Sequence, residues 1–346
     1  MNNQSTLGWD VGGAHLKAAL LDASGQVRQV IQVPCPLWRG IEQLQIAIRL
    51  ILSQLDQPAI EHAVTMTGEL VDIFPNRAKG VSQIADLLCQ ELDGRVAFYA
   101  GDKGFIAIAD VAYNTSSIAS ANWLASSCWL ASQIPDALFV DIGSTTADLI
   151  LLKAGKPQAR GANDAQRMQY QELVYTGVVR TPLMAIAQQI PFAGELVMVA
   201  AEYFATSADI YRLTSDLNEA EDMADTADGG DKSLEASARR LARMVGHDVD
   251  DAPMSAWICL AQAFKQRQLH QLAEAASRAY SRNLLNQDAP IIGAGAGSFL
   301  AKQLALQLER PYINAASLLE NTDSDLAGWI NVCLPACAVA ALLRNS

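Results

Sequence analysis

Two short segments of the chain carry residue types suited to holding a phosphate group and a divalent metal. The first runs Asp10-Val-Gly12-Gly13-Ala-His-Leu-Lys17 and the second Asp141-Ile-Gly143-Ser144-Thr145-Thr146-Ala-Asp148. In each, an apolar strand ends in an Asp, a turn of small residues follows, and a second strand leaves the turn. Glycine removes the Cβ that would keep backbone N–H groups away from a phosphate oxygen. Successive N–H groups in such a turn form an anion-binding nest. Gly12 and Gly13 suit that role in the first copy, and Gly143 with the hydroxyls of Ser144, Thr145 and Thr146 in the second. Asp10 and Asp141 would repel a bare phosphate. They suit a magnesium ion, held directly or through water, that bridges carboxylate and phosphate. A plain β-hairpin uses Asp and Gly for turn geometry alone, but two copies with the Asp in the same place favour a phosphate site.

Other positions carry a chemical and a structural reading side by side. Lys17 and Asp148 are equivalent in the two copies. Lys17 can meet phosphate as a point charge and Asp148 can serve as a base or metal ligand, or each is a solvated strand position. His15 reads as a structural residue of the turn. Glu69 and Asp72 follow a predicted strand end, where a carboxylate can take a proton from a hydroxyl or simply start a helix. Gly293, Gly295 and Gly297 lie between a short apolar strand and a helix. Ser298 and Leu300 stand where a dinucleotide fingerprint needs glycine. The segment can still hold a nucleotide or another anion, or be a tight strand-to-helix turn.

Periodicity supplies the elements that must position these groups. Residues 6–33 read as three strands, with turns at Gly12-Gly13 and Ala23-Ser24-Gly25. Residues 41–55 read as a helix whose stripe is Ile41, Leu44, Ile48, Ile51 and Leu55. A strand at 64–67, a helix near 81–92 and a strand near 95–100 follow. Residues 117–133 read as a helix rich in small residues, and a strand-rich unit restarts at Ala137. After Pro157 the pattern is helical, broken near Pro182 and Pro191. The acidic 214–232 stretch reads as a loop, solvated or closing on a ligand through Thr226-Ala-Asp228-Gly229. Helices at 232–245 and 254–285, strands at 291–292 and 311–314 and a small-residue helix at 335–343 complete the α/β pattern.

Composition sets bounds. The chain has 346 residues, an apolar fraction of 51% and a formal charge of −12. That length suits two domains, and the charge disfavours nucleic acid and anionic membranes as partners. The opening residues, Met1 to Thr6, lack the layout of a signal peptide, and Val332 to Leu343 is too short for a span. A cytoplasmic protein is expected. The six scattered cysteines form no CxxC pair, which points to reduced, mostly buried thiols. The sequence leaves monomer and homo-oligomer open.

The order of hairpin with Asp10, small-residue helix, hairpin with Asp141, strand with Gly293–Gly297, and small-residue terminal helix resembles the superfamily of acetate and sugar kinases, heat-shock chaperones and actin. The resemblance implies a two-domain, actin-like ATPase (ribonuclease H-like) fold with duplicated phosphate hairpins and a cleft between domains. It places the first domain at 1–116 plus 335–346, the connecting helix at 117–133, and the second domain, with a helical insertion, at 134–334. Within that superfamily the chain resembles the hydantoinase/oxoprolinase-related proteins linked to tetrahydromethanopterin one-carbon transfer. The segments that carry this are Asp10–Lys17, Met66–Asp72, Asp141–Asp148, Tyr175–Pro182 and Thr226–Gly229. Gly68 departs from the Ala expected in many relatives.

That resemblance implies methanofuran-type cofactor biosynthesis. The reaction would be an alkyl transfer joining an aminomethyl-furanmethyl diphosphate to the phenol of a glutamyl-tyramine or a tyrosine-like acceptor, releasing diphosphate. The hairpins would hold diphosphate and magnesium, and Glu69, Asp72 or Asp148 would deprotonate the phenol. Two alternatives share the fold: an ATP-dependent kinase or ATP-driven amidohydrolase that uses ATP and leaves ADP, and a nucleotide-sensing protein without turnover.

Overall fold

The computed structural model describes residues 5–56, 59, 61–320 and 326–346. The polar opening residues 1–4 lie outside the described residues. The chain divides into two compact units. One comprises Met1–Asp136, Leu152–Gln158 and Asn314–Ser346, the other Ala137–Leu151 and Ala159–Ile313.

The first unit is built on a six-stranded sheet of β1 (Thr6–Val11), β2 (His15–Leu21), β3 (Val27–Pro34), β4 (Glu61–Met66), β5 (Arg95–Tyr99) and β6 (Phe105–Ile106), in the order β3-β2-β1-β4-β5-β6. β1 pairs antiparallel with β2 and parallel with β4. Every residue of β1 is buried, as expected of a central strand covered on both faces. Helices Glu42–Gln54 and Arg77–Glu91 turn Leu44, Ile48, Ile51, Val81, Ile84 and Leu88 into the core that holds Leu7, Trp9 and Val11. Asn76 caps the second of these by accepting from the Lys79 N–H. The other contact of β1 is with helix Leu334–Arg344, whose small residues allow close approach. A Cβ on Gly8 would fall 1.9 Å from the Ala336 carbonyl oxygen. The glycine is what lets helix and strand touch backbone to backbone.

A second sheet repeats the pattern. β7 (Ala137–Ile142), β8 (Ala147–Lys153), β9 (Lys156–Pro157), β10 (Leu173–Val174), β13 (Ile291–Ala294) and β14 (Tyr312–Asn314) form a sheet in the order β10-β8-β7-β13-β14, with β9 also on β8. In both units a hairpin is followed by a return strand and then by strands added on the far side of the first. This is the duplicated ribonuclease H-like arrangement of a two-domain actin-like ATPase fold. The third strand is one piece in the first sheet and two short pieces, β9 and β10, in the second sheet. A large core gathers Leu138, Val140, Leu149, Tyr211, Trp257, Phe264 and Leu272 from the sheet and from helices Ser207–Leu213 and Met254–Tyr280.

Several sequence boundaries move. The helix expected at 117–133 begins at Asn122, because Ser120 takes a left-handed φ of 52° that interrupts it. The segment broken near Pro191 contains a two-stranded hairpin, β11 (Gln189–Phe192) and β12 (Glu195–Met198). Pro191 is tolerated because both strands of that hairpin are edges. The helix expected to reach 285 stops at Tyr280. No single helix among the described residues is long and apolar enough to cross a membrane.

Candidate functional site

In the first hairpin, Gly12 N–H donates to the His15 carbonyl at 3.0 Å and closes the turn. Asp10 sits opposite Lys17 in the register. The Asp10 side chain is 6% exposed and its carboxylate lies 3.9 Å from Lys17 Nζ. That ammonium donates to the Val332 carbonyl at 2.8 Å, at the end of helix Leu326–Val332, where the helix dipole favours a cation. Lys17 is thus anchored between a carboxylate and a helix end. On the other side of Asp10, its partner Thr65 carries a buried hydroxyl with no hydrogen-bond partner among the described residues.

Strand β4, the parallel neighbour of β1, delivers Glu69 to the turn. Thr67 N–H donates to the Val11 carbonyl at 2.9 Å. A Cβ on Gly68 would come 3.2 Å from the Val11 carbonyl oxygen and 3.3 Å from that of Gly12. Glu69 follows in the short 3-10 helix Gly68–Leu70 and is 1% exposed. Ser120 Oγ donates to its Oε1 at 2.9 Å, and Gly80 presses on its backbone. Glu69 is therefore not a helix cap, a role Asn76 takes. Asp72 stands exposed three residues further on.

The second hairpin is more enclosed. Gly143 N–H donates to the Thr146 carbonyl at 2.8 Å. Val178 N–H donates to the Gly143 carbonyl, and Val179 and Arg180 N–H both donate to that of Ser144. A Cβ on Gly177 would lie 2.4 Å from Thr145 N, so the 177–180 segment lies directly on the turn. Gln268 Nε2 holds it by donating to the Gly177 carbonyl at 2.9 Å. Gly295, at φ +79°, approaches from the other strand. A Cβ there would fall 2.2 Å from the Ile142 carbonyl oxygen and 2.5 Å from Asp141 Oδ1. Gly297 N–H donates to the Ile142 carbonyl at 2.8 Å. The late glycines, Gly295 and Gly297 above all, thus serve close packing against β7 and Asp141, while Gly293 makes room for the Tyr312 ring.

Asp148 is committed elsewhere. It is ion-paired with Arg167, whose side chain is 3% exposed. Burial pushes the Asp148 carboxyl up, and the Arg167 guanidinium pulls against it. Asp164 stands 3.8 Å from the same guanidinium. Ser120 and Arg167 are partners of candidate residues that the sequence reading missed. Neither lies at a motif spacing, and the helix read over 117–133 gave no sign of the break at Ser120.

The acidic 214–232 stretch is pinned. Arg240 is fully buried and donates to Asp209 Oδ1 at 2.8 Å and Asp228 Oδ1 at 3.0 Å. Arg212 donates to Asp222 Oδ2 at 2.7 Å. The backbone N–H of Gly230 and the charge of Arg240 hold the Asp228 carboxyl below its ordinary value against the opposing effect of burial.

No group of three His, Cys, Asp or Glu among the described residues forms a metal cage. None of the six cysteines is in a disulfide; Cys35, Cys333 and Cys337 are buried and Cys259 is exposed. Each hairpin instead presents one carboxylate at a strand end. Around Asp10 there is an unpartnered buried hydroxyl, that of Thr65, while Gly295 packs directly against Asp141. That donor set suits magnesium that keeps water and arrives with phosphate oxygens.

A family model described as hydantoinase/oxoprolinase matches residues 61–317. A (4-{4-[2-(gamma-L-glutamylamino)ethyl]phenoxymethyl}furan-2-yl)methanamine synthase from Methanocaldococcus jannaschii is 27% identical over 340 residues, covering 98% of this chain and 97% of its own. A synthase of the same name from Methanococcus vannielii is 26% identical over 61% of this chain and 91% of its own. Among solved structures, a ROK family glucokinase from Streptomyces griseus, in complex with glucose and AMPPNP, aligns at a TM-score of 0.49 and 12% identity. It covers 99% of this chain and 100% of that one.

Proposed function

The chain belongs to the hydantoinase/oxoprolinase family, and from that membership we propose that it is a synthase of methanofuran-type cofactor biosynthesis. It joins an aminomethyl-furanmethyl diphosphate to the phenol of a γ-glutamyl-tyramine. The observation that carries this reading is the end-to-end likeness to the synthase of M. jannaschii. That relative's name describes a furan and a phenol linked through an oxymethyl bridge.

The chemistry asks for few groups. The bond between the furan methylene and the diphosphate oxygen breaks, and its electron pair leaves with diphosphate. The phenol oxygen forms the new bond and its proton passes to a base. The furan ring stabilises positive charge at the methylene, so catalysis rests on holding the leaving group and excluding water. The hydroxyls of Ser144, Thr145 and Thr146, with turn N–H groups other than those of Gly12 and Gly143 that close the hairpins, are the donors offered to diphosphate. Asp10 and Asp141 suit hydrated magnesium, which when bound would neutralise charge on the leaving diphosphate. Lys17 holds Asp10 in place. Of the three candidate bases, Glu69 is the one the fold brings to a turn, with Ser120 fixing one of its oxygens. Asp148 holds Arg167 and with it the β8–β10 edge. A phosphate cradle of this kind recognises diphosphate whichever group carries it, so no nucleotide is required.

The test supplies the furan diphosphate, γ-glutamyl-tyramine and magnesium without ATP. Equal yields of ether and diphosphate are expected. Ether formation that depends on ATP, or none at all, overturns the proposal.

A further inference from the structure

A cavity of about 720 Å³ opens in the second unit. Its walls come from the end of helix Ser207–Leu213 and the residues that follow it, and from the start of helix Leu234–Met244. We infer that this cavity is the subsite for the zwitterionic amino-acid head of the acceptor, the γ-glutamyl group. The inference rests on the proposed acceptor and adds where it is gripped.

The lining has both signs of charge and no excess of either. Arg212 and Lys232 supply two cations, Glu219 and Asp222 two carboxylates. A polyanion such as a nucleotide triphosphate would meet as much repulsion as attraction, whereas a zwitterion can face each pole with its opposite. The buried pole is built. Arg212 donates to Asp222 Oδ2 at 2.7 Å and to Asp209 Oδ1 at 2.9 Å. Lys232 donates to the Asp222 carbonyl and stands 3.4 Å from Asp222 Oδ1, a buried atom that accepts no hydrogen bond among the described residues. Lys232, 40% exposed at its side chain, is placed to receive the α-carboxylate, and the exposed Glu219 to receive the α-ammonium. Leu217 and Leu234 offer apolar surface to the methylene stem.

Position supports the assignment. Helix Ser207–Leu213 runs from the second hairpin to the cavity. At its start Ala208 N–H donates to the Val179 carbonyl, and Val179 N–H donates to that of Ser144. From Ala208 to Arg212 the helix advances about 6 Å. An extended γ-glutamyl-tyramine has the reach of roughly four extended residues, about 13 Å. A head held in the cavity can therefore present its phenol toward the Ser144 turn.

Calorimetric titration of the full chain with γ-glutamyl-tyramine and with plain tyramine tests this. The wild type is expected to bind the glutamyl compound about tenfold more tightly or better, the worth of one charge-assisted contact. Lys232→Ala and Glu219→Gln should each erase most of that difference and leave tyramine within about twofold. Lys232→Arg should restore it. Unchanged glutamyl affinity in both variants, or a wild type that does not distinguish the two ligands, overturns the subsite. The proposed reaction is read separately. Discrimination in binding without diphosphate release removes the reaction and keeps the subsite. Ether formation with unaltered binding in the variants removes the subsite and keeps the reaction.

Discussion

The two hairpins share a sequence skeleton and differ in how they use it. In the first, Lys17 faces Asp10 across the register and donates to a helix-end carbonyl. In the second, the equivalent position is Asp148, which turns to a buried arginine. Both turns are closed from within, by the His15 and Thr146 carbonyls, but the second is also overlaid by the 177–180 segment and approached by Gly295. Duplication therefore preserved the strand-end carboxylate and the tight turn, while the seventh position after that carboxylate was free to change sign. The first hairpin spends its charge on the candidate site and the second on its own stability.

The sharpest break of this comparison is at Arg167. Arg167→Ala leaves Asp148 buried without its partner, which costs about 3–5 kcal/mol. Lys17→Ala removes a longer pair with a more exposed cation and its hydrogen bond to the Val332 carbonyl, for which a smaller loss of about 1–2 kcal/mol is expected. Thermal and urea unfolding of the two variants measures both. Equal losses would mean that the hairpins do not divide their charges in this way.

Activity should show the reverse order. Asp10→Asn is expected to lower turnover about 10²–10³-fold, as for loss of a preorganised electrostatic group, with the melting temperature little changed. Asp141→Asn should act in the same direction. Turnover left intact in both variants would sink the phosphate-cradle model. Glycine substitutions give a smaller contrast. Gly177→Ala forces a Cβ to within 2.4 Å of the Ser144 and Thr145 backbone, an overpacking that costs about 1–3 kcal/mol. Gly68→Ala meets the flexible end of Leu37 at 2.9 Å and backbone oxygens only beyond 3 Å, so unfolding should register a smaller loss.

The strands, the tight turns and the repeated Asp were legible because each is written in neighbouring residues. What the sequence did not disclose are partners brought together by the fold. Arg167 lies 19 residues from Asp148, Ser120 lies 51 from Glu69, and the Val332 carbonyl lies 315 from Lys17. Periodicity has no term for such pairs. The same is true of the acidic loop. Its composition reads as solvated, yet Arg212 and Arg240, on two separate helices, fold it down. The late glycine run was ambiguous for a related reason. Its glycines satisfy both a ligand reading and a packing reading, and only the closeness of Ile142 and Asp141 to Gly295 shows the packing.

The smallest expected effect concerns how each hairpin's first strand meets its parallel neighbour. β7 and β13 pair through Leu138, Phe139, Val140 and Asp141 against Ile291, Ile292, Gly293 and Ala294, with no histidine at the join. β1 and β4 include Trp9 and His62, and Trp9 Nε1 donates to His62 Nδ1 at 3.1 Å. Since Nδ1 accepts, the ring's proton is on Nε2, which donates to the Asp93 carbonyl at 2.9 Å. The fold thus selects neutral His62, and burial pushes its imidazole below the ordinary value of 6.5, with the Asp93 carbonyl pulling the other way. The unfolded chain takes up the proton first as pH falls. Stability from this residue is therefore complete above about pH 6.5 and is lost as pH drops through the folded value. Melting temperatures of the wild type and His62→Gln between pH 8 and pH 5 should converge toward the acid end, measured at about one-unit steps. Parallel curves would mean that His62 does not make the first sheet the pH-sensitive one.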